Sequence, residues 1–169
     1  MKKYEFTGET KTVPFLFKDV TLHRIQAITS FASVVAGELG GWIEKEENLS
    51  HKGDAWVYSN AKVCGNAEVR GNGVVRGNAE VRGDAVVSEN AEVFSVRHVL
   101  VIGPIGSRNA FTTFYYDKDN EITVQCGCFI GKIDKFLEKV AQTHGDSKSK
   151  YAQVYRKAVE LAKLQILTD

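Results

Sequence analysis

Long apolar runs and an excess of either charge are missing from this chain of 169 residues, and proline is scarce. Lysine and arginine number 22 against 21 aspartates and glutamates, a formal net charge of +1. So even a balance gives no general pull toward nucleic acid or an anionic membrane surface. No apolar stretch approaches the ~20 residues of a spanning helix. The opening MKKYEFTGET has two lysines with no apolar segment behind them, which reads against a secretory signal. A cytoplasmic setting is therefore expected. Cysteine is sparse and odd in number (Cys64, Cys126, Cys128), so reduced thiols rather than a disulfide framework are expected. Proline occurs only at Pro14 and Pro104.

Glycine is frequent, and its placement is regular. From Gly53 the chain reads GDAWVY, SNAKVC, GNAEVR, GNGVVR, GNAEVR, GDAVVS, ENAEVF. One column is small throughout: Ala55, Ala61, Ala67, Gly73, Ala79, Ala85, Ala91. Two residues on, every position is valine, from Val57 to Val93. Residues two apart on a strand share a face, so each hexad points one small and one branched side chain the same way. The Gly-Asn pairs supply the positive φ that bends the chain between strands. A corner every six residues is too frequent for a meander of ordinary strands. It suits a triangular coil with three hexads, or about 18 residues, per turn. Outward residues 18 apart then fall into columns. Tyr58, Arg76 and Phe94 form one, suited to cation–π stacking, and Lys62, Glu80 and His98 form another, alternating in charge.

This pattern resembles the hexapeptide-repeat family, whose motif places a small residue four positions after an aliphatic one, as in Val63 to Ala67 and Val69 to Gly73. The resemblance implies a mainly β chain built on a left-handed parallel β-helix; the hand comes from the family, not from the period. Residues 1–52 read as N-terminal strands capping the solenoid and 53–106 as the repeat. Residues 107–169 read as a small C-terminal ββαα module: a hairpin (AFTTFYY, EITVQCGCF) and two helices. The first helix carries Ile133, Phe136, Leu137 and Val140 at helical spacing. The second carries Tyr151, Val154, Tyr155, Ala158, Leu161 and Ala162.

VLVIGPIGSRN at 99–109 has the look of a phosphate loop. A phosphate loop needs a helix directly after its glycines. The residues that come next, NAFTTFYYD, are β-branched and aromatic and read as strand. The valine column also continues through Val99 and Ile105, so 99–106 is read as the end of the repeat.

Candidate chemistry gathers after that point. Ser107, Arg108 and Asn109 offer a hydroxyl, a planar cationic fork and an amide, a set suited to a small anion. Tyr115 and Tyr116 are available to stack on a base. His144 lies between the two helices, followed by Gly145 and Asp146. Cys126 and Cys128 lack the fourth ligand and the spacing of a zinc site and read as a buried, inert pair. No metal, cofactor or catalytic set is expected. Hexapeptide-repeat acyltransferases use a histidine near the coil face as base, a role His98 would match. The seven unbroken hexads leave out the projecting loop that builds the acceptor pocket in those enzymes.

Two longer stretches, LHRIQAI…GELGGWIEKEENLS and IGSRNAFTTFYY…CGCF…THGD, are similar to uncharacterised proteins of bacteriophages and prophages that join a β-helix to a C-terminal module of this kind. That resemblance implies a phage accessory protein in the bacterial cytoplasm. The resulting expectation is a non-enzymatic homo-oligomer, a trimer, holding a small anionic ligand such as a nucleotide immune signal. The alternatives are a scaffold that binds a host protein and an acyltransferase. Membrane and nucleic-acid partners are not expected.

Overall fold

The computed structural model describes residues 1–15, 18–145 and 148–166. The chain begins with a long antiparallel hairpin, β1 (Tyr4–Phe15) and β2 (Lys18–Ala27), and β3 (Leu39–Ile43) pairs antiparallel with β2. The hexads give seven strands of two residues each: β4 (Trp56–Val57), β5 (Lys62–Val63), β6 (Glu68–Val69), β7 (Val74–Val75), β8 (Glu80–Val81), β9 (Val86–Val87) and β10 (Glu92–Val93). After a 3-10 turn (Val96–His98) come β11 (Val99–Ile105), β12 (Ala110–Tyr116), β13 (Ile122–Cys126) and β14 (Phe129–Lys132). Two helices complete the described chain, α1 (Ile133–His144) and α2 (Lys150–Ile166).

The hexads pair in parallel at the 18-residue interval. Val57 aligns with Val75 and Val75 with Val93; Val63 aligns with Val81, and Val69 with Val87. Every one of these valines is buried, and the small column beside them closes the same core. The corner positions take a left-handed φ even where glycine is replaced, at Ser59 (φ 46) and Glu89 (φ 53). Glycine at the first corner has a further cause. A Cβ on Gly53 would lie 2.5 Å from the Gly71 carbonyl oxygen one interval on.

The expected architecture, a left-handed parallel β-helix with a ββαα module, is corrected by the sheet organisation. Among the described residues the chain is mainly β, divided into four separate sheets with two C-terminal helices. Their orders are β1-β2-β3-β5-β8, β4-β7-β10, β6-β9 and β11-β12-β13-β14. The physical reason is local. Each hexad contributes two residues to a ladder and uses the rest on its corner, so every ladder stays two residues wide. The first sheet then continues as wide antiparallel pairing with the N-terminal hairpin. Val99–Ile105 does not extend the repeat, because β11 turns back against β12 in antiparallel register, Val99 opposite Tyr115 and Ile102 opposite Thr112. The C-terminal unit therefore has four strands, not two.

That four-stranded sheet is the element that positions the candidate site. One of its faces closes the end of the hexad core. Tyr115 is wholly buried among the valines, and the Thr113 hydroxyl accepts a hydrogen bond from the Val86 N–H at 3.0 Å. The other face carries the helices. Phe114, Ile122 and Val124 pack there against Phe136, Val140, Tyr155, Ala158 and Val159. At the opposite end of the hexads Tyr4, Phe31 and Trp56 close the core, with Lys3 donating to the Gly53 and Ala55 carbonyls at 3.2 and 2.6 Å.

Candidate functional site

The cleft lies at one end of the C-terminal sheet, where the turn before β12 and the turn after β13 meet both helices. Its volume is about 160 Å³. The register explains the convergence: Thr112 on β12 pairs with Cys126 on β13, and Cys126 with Phe129 on β14. Residues 107–110 and 126–129 thus emerge at the same sheet end. From α1, Phe136, Lys139, Val140, Thr143 and His144 line the cleft, and from α2, Tyr155. Positions 136, 140 and 143 lie on one helix face, which is why a single stripe supplies both an apolar floor and a polar rim.

Tyr155 is the centre of the cleft. Its hydroxyl fills the space beside Gly106, where a Cβ would lie 1.9 Å away, and φ there is +75. Both facts demand glycine at 106. The ring packs edge-on to Phe136 at 5.4 Å and near-parallel to the His144 imidazole at 5.9 Å. The Cys126 thiol lies 3.9 Å from the phenol oxygen and accepts a hydrogen bond from the Thr112 hydroxyl at 3.3 Å. Burial pushes the Tyr155 phenol up to about 12; the adjacent Cys126 adds to the rise, and Arg108 opposes it. At neutral pH Tyr155 is therefore a neutral donor.

The charge of the lining is one-sided. Arg108 and Lys139 contribute two cations, and none of the described lining residues is a carboxylate. Among the described residues no ion pair engages either cation. An exposed rim with two cations and several donors suits an anion. About 150 Å³ suffices for a benzene-sized ring. The cleft thus has room for a group the size of one phosphate, one carboxylate or one ring.

Of the residues singled out in the sequence, Ser107, Arg108 and His144 come together here. Asn109 is exposed in the turn, with φ 48 and its N–H donating to the Gly106 carbonyl, and it does not line the cleft. Tyr115 points to the opposite sheet face and is fully buried, so no ring of a ligand reaches it. Tyr116 shares the helix-facing side but lies six residues along the strand from Ala110, about 20 Å. There it donates to Asn120 Oδ1 at 2.8 Å and packs against His98. Asp146 lies outside the described residues. Cys126 and Cys128 are not a buried pair: Cys126 is half-buried, while Cys128, beyond the turn at Gly127 (φ +59), is exposed. Lys139 and Tyr155 join the site without having been marked by any sequence motif, and Thr143 joins it from the THGD stretch. Tyr155 has the spacing of a core residue and is one; only its hydroxyl end belongs to the site.

His98 is not on an outward column. The 3-10 turn at 96–98 breaks the hexad register and buries it, with Phe94 at 4.2 Å and Tyr116 at 4.6 Å between ring centroids. The other column members behave as the interval requires. Lys62 and Glu80 pair at 2.6 Å, and Arg76 lies 5.4 Å above the Phe94 ring. Among the described residues no cluster of three or more histidines, cysteines or acids could hold a metal. Among the described residues His144 has ring contacts with Tyr151 and Tyr155.

Fold and cleft together define a mainly β scaffold bearing a small cationic site on its C-terminal sheet-and-helix unit. No family model matches the chain. A curated relative, an uncharacterised acetyltransferase (YdcK) of Escherichia coli (strain K12), is 37% identical over 62 residues, 34% of this chain. The chain matches 19% of that relative's length. The match fits a hexapeptide-repeat protein, in keeping with the seven hexads. No helix among the described residues is long and apolar enough to cross a membrane.

Proposed function

We propose that this chain is a binding protein for a small anionic ligand, held at the cleft between the C-terminal sheet and its helices. The observation that carries the reading is the company Arg108 keeps. Lys139, Ser107, His144 and the neutral Tyr155 phenol surround the same cleft above an apolar floor of Phe129, Phe136 and Val140, with no carboxylate among the described lining residues. In its finer form the proposal is a non-enzymatic phage accessory protein, assembled as a homotrimer, that sequesters a nucleotide signal by one phosphate or base.

Native mass spectrometry of the chain after incubation with a bacterial nucleotide extract tests both the ligand and the oligomer. The expected result is a mass increment that disappears in Arg108→Ala while the thermal midpoint stays within about 3 °C of wild type. An unchanged mass in every extract, or an increment that survives Arg108→Ala together with Lys139→Ala, refutes the site.

A second reading, acetyl transfer, is favoured by the match to the uncharacterised acetyltransferase. It calls for a thermal shift with acetyl-CoA. The enclosed position of His98 counts against that residue as its base.

A further inference from the structure

A second surface of the C-terminal unit lies apart from the cleft. Strand β11 is the outer strand of its sheet, paired with β12 on one side, and among the described residues its other edge has no strand partner. Helix α2 packs along it. Between them runs an open groove of about 420 Å³ whose apolar part is Ile102, Val154, Ala158 and Leu161. Lys150, Gln153 and Lys157 form its rim.

The helix has two faces. Ala152, Tyr155, Ala158, Val159, Ala162 and Ile166 are buried against the sheet. Positions 150, 154, 157 and 161, spaced by four, three and four, fall on a neighbouring stripe that reads Lys-Val-Lys-Leu. Leu161 on that stripe is 49% exposed. Along its length α2 carries Lys150, Arg156, Lys157 and Lys163 against one carboxylate, Glu160. The Lys157–Glu160 pair at 2.8 Å is highly exposed, so exchanging it for another carboxylate costs little.

We propose that this groove docks an acidic amphipathic helix of a partner protein. Its apolar side chains would lie between Ile102 and Leu161, and its carboxylates on Lys150 and Lys157, the helix-in-groove mode of recognition. Charge complementarity selects the occupant. A second copy of the chain offering the same face would set lysine against lysine, and an apolar segment without carboxylates would leave the rim unpaired.

The test uses the full chain and a fluorescein-labelled synthetic helix of about 18 residues, with leucines at i, i+3, i+4 and i+7 and glutamates flanking them. The control replaces glutamate by lysine. Fluorescence anisotropy is expected to show saturable binding of the acidic helix only, weakening as salt rises. Leu161→Glu and Lys157→Glu should each weaken it at least about tenfold with far-UV circular dichroism unchanged, and Arg108→Ala should leave it as it was. Both substitutions are on exposed side chains, so folding is preserved. The proposal is overturned by equal binding of the acidic and basic helices, or by no binding of either. It is equally overturned by indifference to Leu161→Glu, by dimerisation through this groove, or by a DNA duplex that binds through the lysines whatever residue stands at 161.

Discussion

Replacing Val75 by alanine tests the core arrangement most directly. Val75 has no exposed surface and lies in register between Val57 and Val93. The substitution removes two buried methyl groups, about 0.8 kcal/mol each in lost transfer free energy. The hole they leave has backbone corners on its flanks and valines fixed by ladders on either side, so it closes poorly; an unrelaxed cavity of that size adds about 1 kcal/mol. The expected loss is about 2.5 kcal/mol, or roughly 5–10 °C in thermal midpoint for a chain of this length. Val74 is the control. It is the adjacent residue on the same two-residue strand, points outward and is half-buried, so Val74→Ala should cost less than about 1 kcal/mol. Urea unfolding followed by the fluorescence of Trp56, which is buried and pairs with Val74, reads both variants. An equal loss at 74 and 75, or a larger one at 74, would refute the inward column and the pairing built on it.

Three further outcomes rest on named contacts. Gly53→Ala and Gly83→Ala both place a side chain at positive φ, but only the first drives its Cβ into a neighbouring carbonyl, so it should be less stable by at least about 1 kcal/mol in the same urea assay; equal losses would refute the close approach. Burial lowers the Lys3 ammonium to about 8, against the pull of Asp54. Between about pH 8 and 10 the unfolded chain therefore binds more protons than the folded one, and stability should rise with pH in that window, a rise that Lys3→Met should lack in pH-dependent melting. Finally, a chromogenic disulfide reagent should titrate the exposed Cys128 at once and the half-buried Cys126 more slowly. Cys64, whose thiol burial pushes up, should react only on unfolding; immediate reaction of Cys64 would contradict its packing.

Residues 53–94 were legible because their pattern is short-ranged. A column of valine every sixth position, with a small residue two before it, can be satisfied in few ways, and the 18-residue pairing of Val57 with Val75 is one consequence. Residues 99–105 misled for the same reason: Val99 and Ile105 keep the valine phase, yet the partner that captures them is β12, reached through a reversal at 106–109. Nothing in the phase distinguishes a further parallel turn from an antiparallel one. His98 departs from its column because a single 3-10 turn shifts the register by a fraction of a hexad. At the cleft, Arg108 and Ser107 were visible as a cationic fork and a hydroxyl suited to a small anion. Lys139 and Tyr155 were not, since a lysine and a tyrosine on amphipathic helices have ordinary structural uses.

The order of residues alone specifies which side chains point inward along the repeat, where its corners fall, and that two amphipathic helices come after a hairpin. Those properties depend on backbone geometry within a few residues. Three others are settled only when the chain folds on itself: the ladders stay separate, β11 joins the C-terminal sheet, and the ends of β12 and β13 meet α1 and α2 around Arg108. Strand pairing and helix docking depend on contacts distant along the chain, where many alternatives satisfy the same local pattern and packing selects one.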